Sequence, residues 1–201
     1  MSALTEKVAR LYAEGLARPP LELWPDPRIA GITTFKPAAV LMAITDRAEA
    51  PGPGLLMIHR PETMRAHPGQ IAFPGGRTDP GENAIAAALR EAEEELGIPT
   101  DQVRVIGTTD LYRTGSGYEI TPVIAVIPAD LPLVPSPDEV ADWFEVPLDH
   151  ALDPARHEVE VLAMGGGRRF VRVDWDGRRI WGITAALLAR LAYRMDWVGA
   201  A

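Results

Sequence analysis

The chain has 201 residues, of which 47% are hydrophobic, enough for one domain with a substantial core. Its formal net charge of -8 argues against a nucleic-acid-binding surface, although a bound metal and local arginines can still create a site for small anions. Cysteine is absent, which excludes disulfides, thiolate catalysis and cysteine-ligated zinc and is compatible with a cytoplasmic location.

The beginning of the chain predicts a helix followed by an extended arm. Apolar residues recur at helical spacing over residues 4–16, at Leu4, Val8, Leu11, Tyr12 and Leu16. Four prolines in residues 17–28 then predict an extended connector. We therefore divide the chain into an arm, residues 1–35, and a main domain, residues 36–201. The first residues lack the long apolar run of a signal peptide, and no stretch approaches the roughly 18 apolar residues of a membrane span.

Apolar and β-branched runs predict strands along the main domain, at 37–45, 55–59, 103–108, 120–127, 140–146, 159–163, 169–175 and 178–181. Pro122 is expected to interrupt the fourth of these strands. Asp176-Gly177 predicts a two-residue hairpin turn. A central helix, a short helix at 147–152 and a final helix at 184–195 complete the pattern. Strands that surround one central helix, with another helix at the end, predict an α+β fold with a mixed sheet.

The most informative stretch, residues 75–98, joins a glycine-rich loop to a helix with a dense acidic end. Glu91, Glu93, Glu94 and Glu95 place four carboxylates in five residues, and like charges three or four residues apart destabilise a helix. At about 100° per residue, Glu91, Glu94 and Glu95 share one face, whereas Glu93 points away. Oxygen ligands favour hard cations, so this face predicts a divalent metal site, with Mg²⁺ preferred over Mn²⁺. The alternative is a solvated acidic helix.

The spacing around this helix matches a known motif. Its fixed positions are filled in order by Gly76, Glu82, Arg90, Glu91, Glu94, Glu95, Gly97 and Ile98. The chain resembles Nudix hydrolases, since this pattern is the Nudix box, and only Ala92 departs mildly from it. The resemblance implies an α/β/α sandwich with a mixed central sheet, across which the box forms a loop-helix-loop.

A second motif precedes the box in residues 55–76. After an apolar strand, its fixed residues are Arg60, Arg65, Gly69 and the Phe-Pro-Gly-Gly sequence at 73–76. This segment resembles the signature of coenzyme A pyrophosphatases within the Nudix family. Ile58 and Pro61 depart from it, where threonine and a small residue are usual. With a similar tail, the likeness extends over residues 36–195.

Coenzyme A carries a pyrophosphate and a 3′-phosphate, so its site needs several cationic or polar groups. Arginine binds phosphate oxygens bidentately. The predicted substrate-binding residues are Arg60, Arg65, His67, Gln70 and Phe73. For the two arginines, surface charge or an ion pair with Glu62 is the alternative.

The resemblance also implies a metal site and a catalytic apparatus. The implied metal ligands are Glu91, Glu95, Glu94 and the carbonyl of Gly75. Arg90 is expected to orient a glutamate by an ion pair, and Glu82 either ligates a second metal or pairs with Arg90. The general base stays open between Glu94 and Glu139, and Glu139 is alternatively a plain loop acid.

The implied reaction is metal-dependent hydrolysis of coenzyme A, or an acyl form, to 3′,5′-ADP and 4′-phosphopantetheine or its acyl form. One alternative is a Nudix hydrolase for another nucleotide derivative, such as ADP-ribose or NADH. A second is a non-catalytic nucleotide-sensing module, which the intact box glutamates disfavour. We expect a small-molecule substrate, no nucleic-acid or membrane partner, and leave a homodimer open.

Overall fold

The computed structural model describes residues 1–24, 26–64, 67–162 and 167–197. Its helices are α1 (Ala3–Leu16), α2 (Ala84–Leu96), α3 (Leu148–Ala151) and α4 (Ile183–Met195). Its strands are β1 (Lys36–Asp46), β2 (Gly54–His59), β3 (Ile71–Ala72), β4 (Gly75–Arg77), β5 (Arg104–Thr108), β6 (Tyr112–Arg113), β7 (Tyr118–Pro128), β8 (Asp142–Pro147), β9 (Glu158–Val161), β10 (Arg169–Trp175) and β11 (Arg178–Trp181).

The larger sheet is mixed and has the order β3-β2-β1-β7-β5, with β4, β6 and β8 pairing to β1, β7 and β2. Strands β1 and β7 run parallel along their whole length, and the other pairs in this sheet are antiparallel. Both central strands are covered on two faces, which explains their nearly continuous apolar sequences. A smaller antiparallel sheet has the order β11-β10-β9.

The two faces of the larger sheet carry separate hydrophobic cores. On one face, the small side chains Ala87, Ala88 and Ala92 of α2 pack against the sheet. On the other, α1, α4 and the smaller sheet enclose the second core. The predicted α/β/α sandwich with a mixed central sheet is therefore confirmed. No helix in the described ranges is long and apolar enough to span a membrane.

The expectation that Pro122 interrupts its strand is wrong. β7 continues through this residue, which lies opposite Val40 of β1. The ladder between β5 and β7 ends at the pair Thr108–Val123, so the missing N–H of the proline falls outside that ladder. The proline carbonyl accepts a hydrogen bond from the N–H of Thr109 at 3.0 Å.

Helix α1 is held against α4 by close backbone contact. A Cβ atom on Gly15 would lie 2.0 Å from the carbonyl oxygen of Arg194. The buried Arg194 guanidinium pairs with Asp110 and donates to the carbonyls of Gly15 and Arg18. Leu16, the last residue of the predicted apolar pattern, lies at the helix end and is 47% exposed.

Gly97 ends α2 in a left-handed conformation, with φ of 67°. The predicted hairpin turn is confirmed, since Asp176 and Gly177 connect β10 to β11 with φ of 48° and 71°. The connection before the box contains the short strand β3, and the box begins in the short strand β4. The division of the chain at residues 35 and 36 stays a prediction.

Candidate active site

Helix α2 presents the acidic residues because both of its ends and its apolar face are fixed. The side chain of Asn83 caps its first turn by accepting from the N–H of Ala86 at 2.9 Å. Ala92 is completely buried against the sheet. The small side chain thus explains the mild departure from the motif, since it lies in the contact between helix and sheet.

Glu95 is the most buried acidic residue of the site. Its side chain points toward the sheet and is 2% exposed. One carboxylate oxygen accepts a hydrogen bond from the N–H of Gly75 at 2.9 Å, and the other lies 3.9 Å from Nη1 of Arg60. Burial raises the pKa of Glu95 to about 8, against the opposing effects of the Gly75 hydrogen bond and of Arg60.

Two adjacent glycines let the backbone approach the acidic helix. Gly75 has a φ of 151°, and a Cβ atom there would lie 2.3 Å from the carbonyl oxygen of Ala39. A Cβ on Gly76 would lie 2.4 Å from the carboxylate of Glu91. Gly75 is therefore required by its conformation and by its contact with the β1 backbone. At Gly76, a side chain would displace the carboxylate of Glu91.

Arg90 connects four groups of the box. Its guanidinium donates to Glu82 at 3.1 Å, to Glu91 and Glu94 at 2.9 Å each, and to the carbonyl of Arg77 at 3.0 Å. Of the two alternatives for Glu82, the structure shows the ion pair. The hydrogen bond from Arg90 lowers the pKa of Glu82.

The carboxylates of the box are not preassembled as a complete set of metal ligands. Among the residues that the structure describes, no three histidine, aspartate or glutamate side chains converge on one point suited to a metal ion. Glu91 and Glu94 share Arg90, and Glu94 is exposed. Glu93 is exposed as well, as the helical geometry predicted.

The donor set nevertheless fits a divalent cation. Glu91 and Glu95 are oxygen donors on one helix face, and burial raises the pKa of both. Charge repulsion adds to both shifts, since Glu94 and Glu139 raise the pKa of Glu91, and Glu91 and Glu139 raise that of Glu95. A bound cation would relieve this repulsion. The space beside Gly76, which a Cβ would fill, brings the backbone directly to the Glu91 carboxylate. Metal ligation by Glu94 and by the Gly75 carbonyl stays a prediction.

Glu139 belongs to this acidic region. Its loop is attached to the end of α2, since the N–H of Ser136 donates to the carbonyl of Glu95 and that of Val134 to Leu96, both at 2.8 Å. The charge of Glu139 raises the pKa of both Glu91 and Glu95. Glu139 therefore lies near the acidic cluster, and its role as general base or as a plain loop acid stays a prediction.

Most of the predicted substrate residues line one cleft of about 290 Å³ beside Gly75 and Gly76. They are Arg60, His67, Gln70 and Phe73. Phe73 is 3% exposed and belongs to the core on the α4 side, so it supports the cleft with little surface of its own. Gln70 and His67 hydrogen-bond to each other at 2.8 Å. Arg65 lies outside the described residues.

Sequence reasoning missed the opposite side of the cleft. It is formed by the turn after β6 and by the start of α4, with Thr114, Ser116, Tyr118, Ile183 and Thr184. Thr184 donates to the carbonyl of Ile71 at 2.8 Å and so holds α4 against β3. No local pattern marks these residues, because long-range packing alone brings them to the cleft.

Comparison with known proteins agrees with this geometry. The family model described as the NUDIX domain matches residues 35–163. A Yersinia pestis (strain Pestoides F) protein named "Uncharacterized Nudix hydrolase NudL" is 40% identical over 165 residues, covering 81% of each chain. A protein of the same name from Yersinia pseudotuberculosis serotype O:1b (strain IP 31758) gives the same values.

Two solved structures match a smaller part of the chain. The Nudix hydrolase RenU of M. Smegmatis is 29% identical and covers 57% of this chain and 72% of its own, with a TM-score of 0.49. A binary complex of the C. elegans Ap4A hydrolase is 22% identical and covers 57% of this chain and 83% of its own, with a TM-score of 0.48.

Proposed function

Because this chain belongs to the Nudix family, whose hydrolases cleave pyrophosphate bonds with divalent metal ions, we propose that it hydrolyses coenzyme A or its acyl forms. The products are 3′,5′-ADP and 4′-phosphopantetheine or its acyl form. Mg²⁺ or Mn²⁺ is the proposed cofactor, and the cytoplasm the proposed location. The substrate assignment is supported by the segment before the box, which lines the cleft next to the acidic helix.

The position of Arg60 is the single observation that carries this proposal. Arg60 lines the cleft together with the glycines of the box, and its Nη1 lies 3.9 Å from the Glu95 carboxylate. Its Nε is buried and has no hydrogen-bond partner among the described residues. A buried, unsatisfied guanidinium donor beside the proposed metal ligands is suited to an incoming phosphate oxygen.

The proposed reaction divides between binding and proton transfer. Glu91 and Glu95 hold the divalent cation, with Glu94 as a further candidate. When bound, the cation neutralises charge on the diphosphate and makes a water molecule more acidic. Arg60 binds phosphate oxygens and Arg90 keeps Glu91 and Glu94 in position. A carboxylate accepts the proton of the water that attacks phosphorus, and the bond to the bridging oxygen breaks.

We favour Glu139 over Glu94 as this general base. Arg90 already donates to a carboxylate oxygen of Glu94, whereas Glu139 belongs to the loop attached to the end of α2 and its charge acts on Glu91 and Glu95. Replacing the base with glutamine should lower kcat by about 10²- to 10⁴-fold and remove the acidic limb of the pH–rate profile. If Glu94→Gln has this effect and Glu139→Gln does not, Glu94 is the base.

The function is tested by product analysis with Mg²⁺ and three substrates in parallel, coenzyme A, ADP-ribose and NADH. We expect coenzyme A to yield 3′,5′-ADP and 4′-phosphopantetheine. Intact coenzyme A beside a cleaved ADP-ribose or NADH would transfer the assignment to another nucleotide. If none of a broader set of nucleotide diphosphates is cleaved with either Mg²⁺ or Mn²⁺, the chain is a binding module instead.

Arg60→Gln provides a test of the binding role with a matched control. We expect it to raise the KM for coenzyme A by about 10-fold or more, because a charge-assisted hydrogen bond is lost. Arg104→Gln removes the same charge from an exposed position on β5, distant from the cleft, and should leave KM unchanged.

A further inference from the structure

A second cavity, of about 210 Å³, adjoins the cleft. The two share His67, Gln70, Ile183 and Thr184, which lie at the boundary between them. The rest of the second cavity is formed by the N-terminal arm, the start of β10 and the end of β11. Neither the Nudix box nor the segment before it includes the arm, β10 or β11. Binding of a diphosphate by the box therefore gives no role to the second cavity.

The second cavity is locally positive in a chain of net charge -8. Three arginines, Arg28, Arg168 and Arg169, line it together with one carboxylate, Asp26, and with the titratable His67. Arg28 pairs with Asp26 at 2.6 Å, and Arg168 lies 3.8 Å from the same carboxylate. One carboxylate faces three guanidinium groups, so two positive charges remain uncompensated within the lining.

Aromatic side chains accompany these cations. Trp24 and Trp181 line the cavity and are 39% and 38% exposed. The guanidinium of Arg169 lies 5.7 Å from the centre of the Trp24 ring, and Phe170 packs edge-on against Trp181 at 5.6 Å. Exposed indole rings beside arginines suit a planar heterocycle that carries a negative group.

The N-terminal arm is fixed at the boundary with the cleft. A Cβ atom on Gly115 would lie 2.6 Å from both Asp26 and Arg28, so the arm packs directly on the turn after β6. The neighbours of this glycine, Thr114 and Ser116, line the cleft itself. The arm therefore contributes to the extended site and places its charged residues next to the proposed substrate.

We infer that the second cavity binds the phosphate monoester of an adenine nucleotide, while the diphosphate of the same molecule lies in the cleft beside α2. This inference rests on the proposed function, because coenzyme A carries such a monoester as its 3′-phosphate. A phosphate monoester carries nearly two negative charges and accepts paired hydrogen bonds from guanidinium groups. ADP-ribose and NADH lack this group, so the cavity supplies selectivity that the box cannot.

The test compares coenzyme A with dephospho-coenzyme A, which differs only in lacking the 3′-phosphate. For the wild type we expect kcat/KM to be about 10- to 100-fold higher with coenzyme A. The double variant Arg168→Gln, Arg169→Gln should lose most of this preference while its kcat/KM for dephospho-coenzyme A stays within about 2-fold. Arg156→Gln, an exposed arginine outside both cavities, serves as the control and should keep the preference.

A second measurement does not depend on turnover. Calorimetry should show that the wild type binds 3′,5′-ADP more tightly than AMP, and that the double variant binds the two equally. Thermal unfolding verifies that the double variant is folded. If the double variant is unfolded, the single variant Arg169→Gln is used in both measurements. It keeps the ion pair between Arg168 and Asp26.

The outcomes separate this inference from the proposed function. Equal cleavage of the two substrates by the wild type overturns the inference and leaves the proposed function intact. An equal loss of both activities in the folded variant also overturns it, because the arginines would then act on a shared part of the substrate. If the wild type cleaves neither substrate, the proposed function fails and the inference fails with it.

Discussion

The carboxylate of Glu95 accepts a hydrogen bond from the backbone N–H of Gly75, which lies 20 residues earlier in the chain. This bond joins the glycine-rich loop to the end of the acidic helix. Since β4 pairs with β1, the position of the proposed metal ligand is set by the sheet as well as by its own helix.

Glu95→Gln should abolish most activity without unfolding the protein. Replacing a residue that only orients a metal ligand lowers activity by about 10- to 100-fold. Loss of a direct ligand is therefore expected to lower kcat/KM by more than about 100-fold. The amide oxygen can still accept from the N–H of Gly75, so thermal stability should change little. Glu93→Gln, on the exposed side of the same helix, is the control for activity, and retained turnover in Glu95→Gln contradicts the metal site.

Gly76→Ala should damage the site more than the fold. The new methyl group would lie 2.4 Å from the Glu91 carboxylate, and the flexible glutamate side chain can move away. We expect activity to fall by about 10- to 100-fold, with a higher concentration of divalent cation needed for half-maximal rate. Metal titrations at saturating substrate measure this shift. An unchanged metal dependence would show that Glu91 is not displaced or is not a ligand.

Arg194→Met should destabilise the protein strongly. The guanidinium is buried, and its loss leaves the Asp110 carboxylate without its partner. Breaking a buried pair from one side costs about 3–5 kcal/mol. Arg10→Met breaks the exposed pair with Glu14 and should cost less than about 1 kcal/mol. Urea denaturation of both variants provides the comparison, and similar midpoints would contradict a structural role for Arg194.

His157 should make stability fall as the pH decreases. Burial lowers its pKa in the folded state, and its Nε2 lies 2.9 Å from the carbonyl oxygen of Ala151. Below about pH 6.5 the unfolded chain therefore binds more protons than the folded protein at this residue.

The stability contributed by neutral His157 is present above that pH and is lost as the pH falls through the folded pKa. His157→Gln retains a donor for the carbonyl of Ala151 and should reduce this loss of stability at low pH. The urea midpoints of the wild type and the variant, compared between pH 7.5 and 5.5, measure the difference. If the stability of the wild type and of the variant depends on pH in the same way, the pKa of His157 does not differ between the folded and the unfolded chain.

The acidic helix was predictable because its information is local. Spacing alone placed Glu91, Glu94 and Glu95 on one face of the helix and Glu93 on another, and Glu93 is exposed whereas Glu95 is buried. The ion pair between Arg90 and Glu82 was one of two predicted alternatives. Its outcome depended on how the loop folds back against the helix, which spacing does not specify.

The second cavity could not be predicted, because its lining comes from distant parts of the chain. Asp26 and Arg28 belong to an arm that the sequence marks only as proline-rich. Arg168, by contrast, precedes β10, and Trp181 is the last residue of β11 in the smaller sheet. The prediction for Pro122 was wrong for a related reason. A proline is tolerated or excluded in a strand according to which neighbours pair beside it, and those neighbours are known only from the fold.

The parallel pairing of β1 with β7 has a consequence for the order in which the protein forms. Residues 36–46 require residues 118–128 as partners, so the central pair closes a long loop that contains the whole Nudix box. Contacts of such high sequence separation slow folding, since loop entropy is lost before the pairing compensates for it. During synthesis, the box therefore leaves the ribosome before the strand β7 that pairs with β1, so the site cannot be complete until residues 118–128 have emerged.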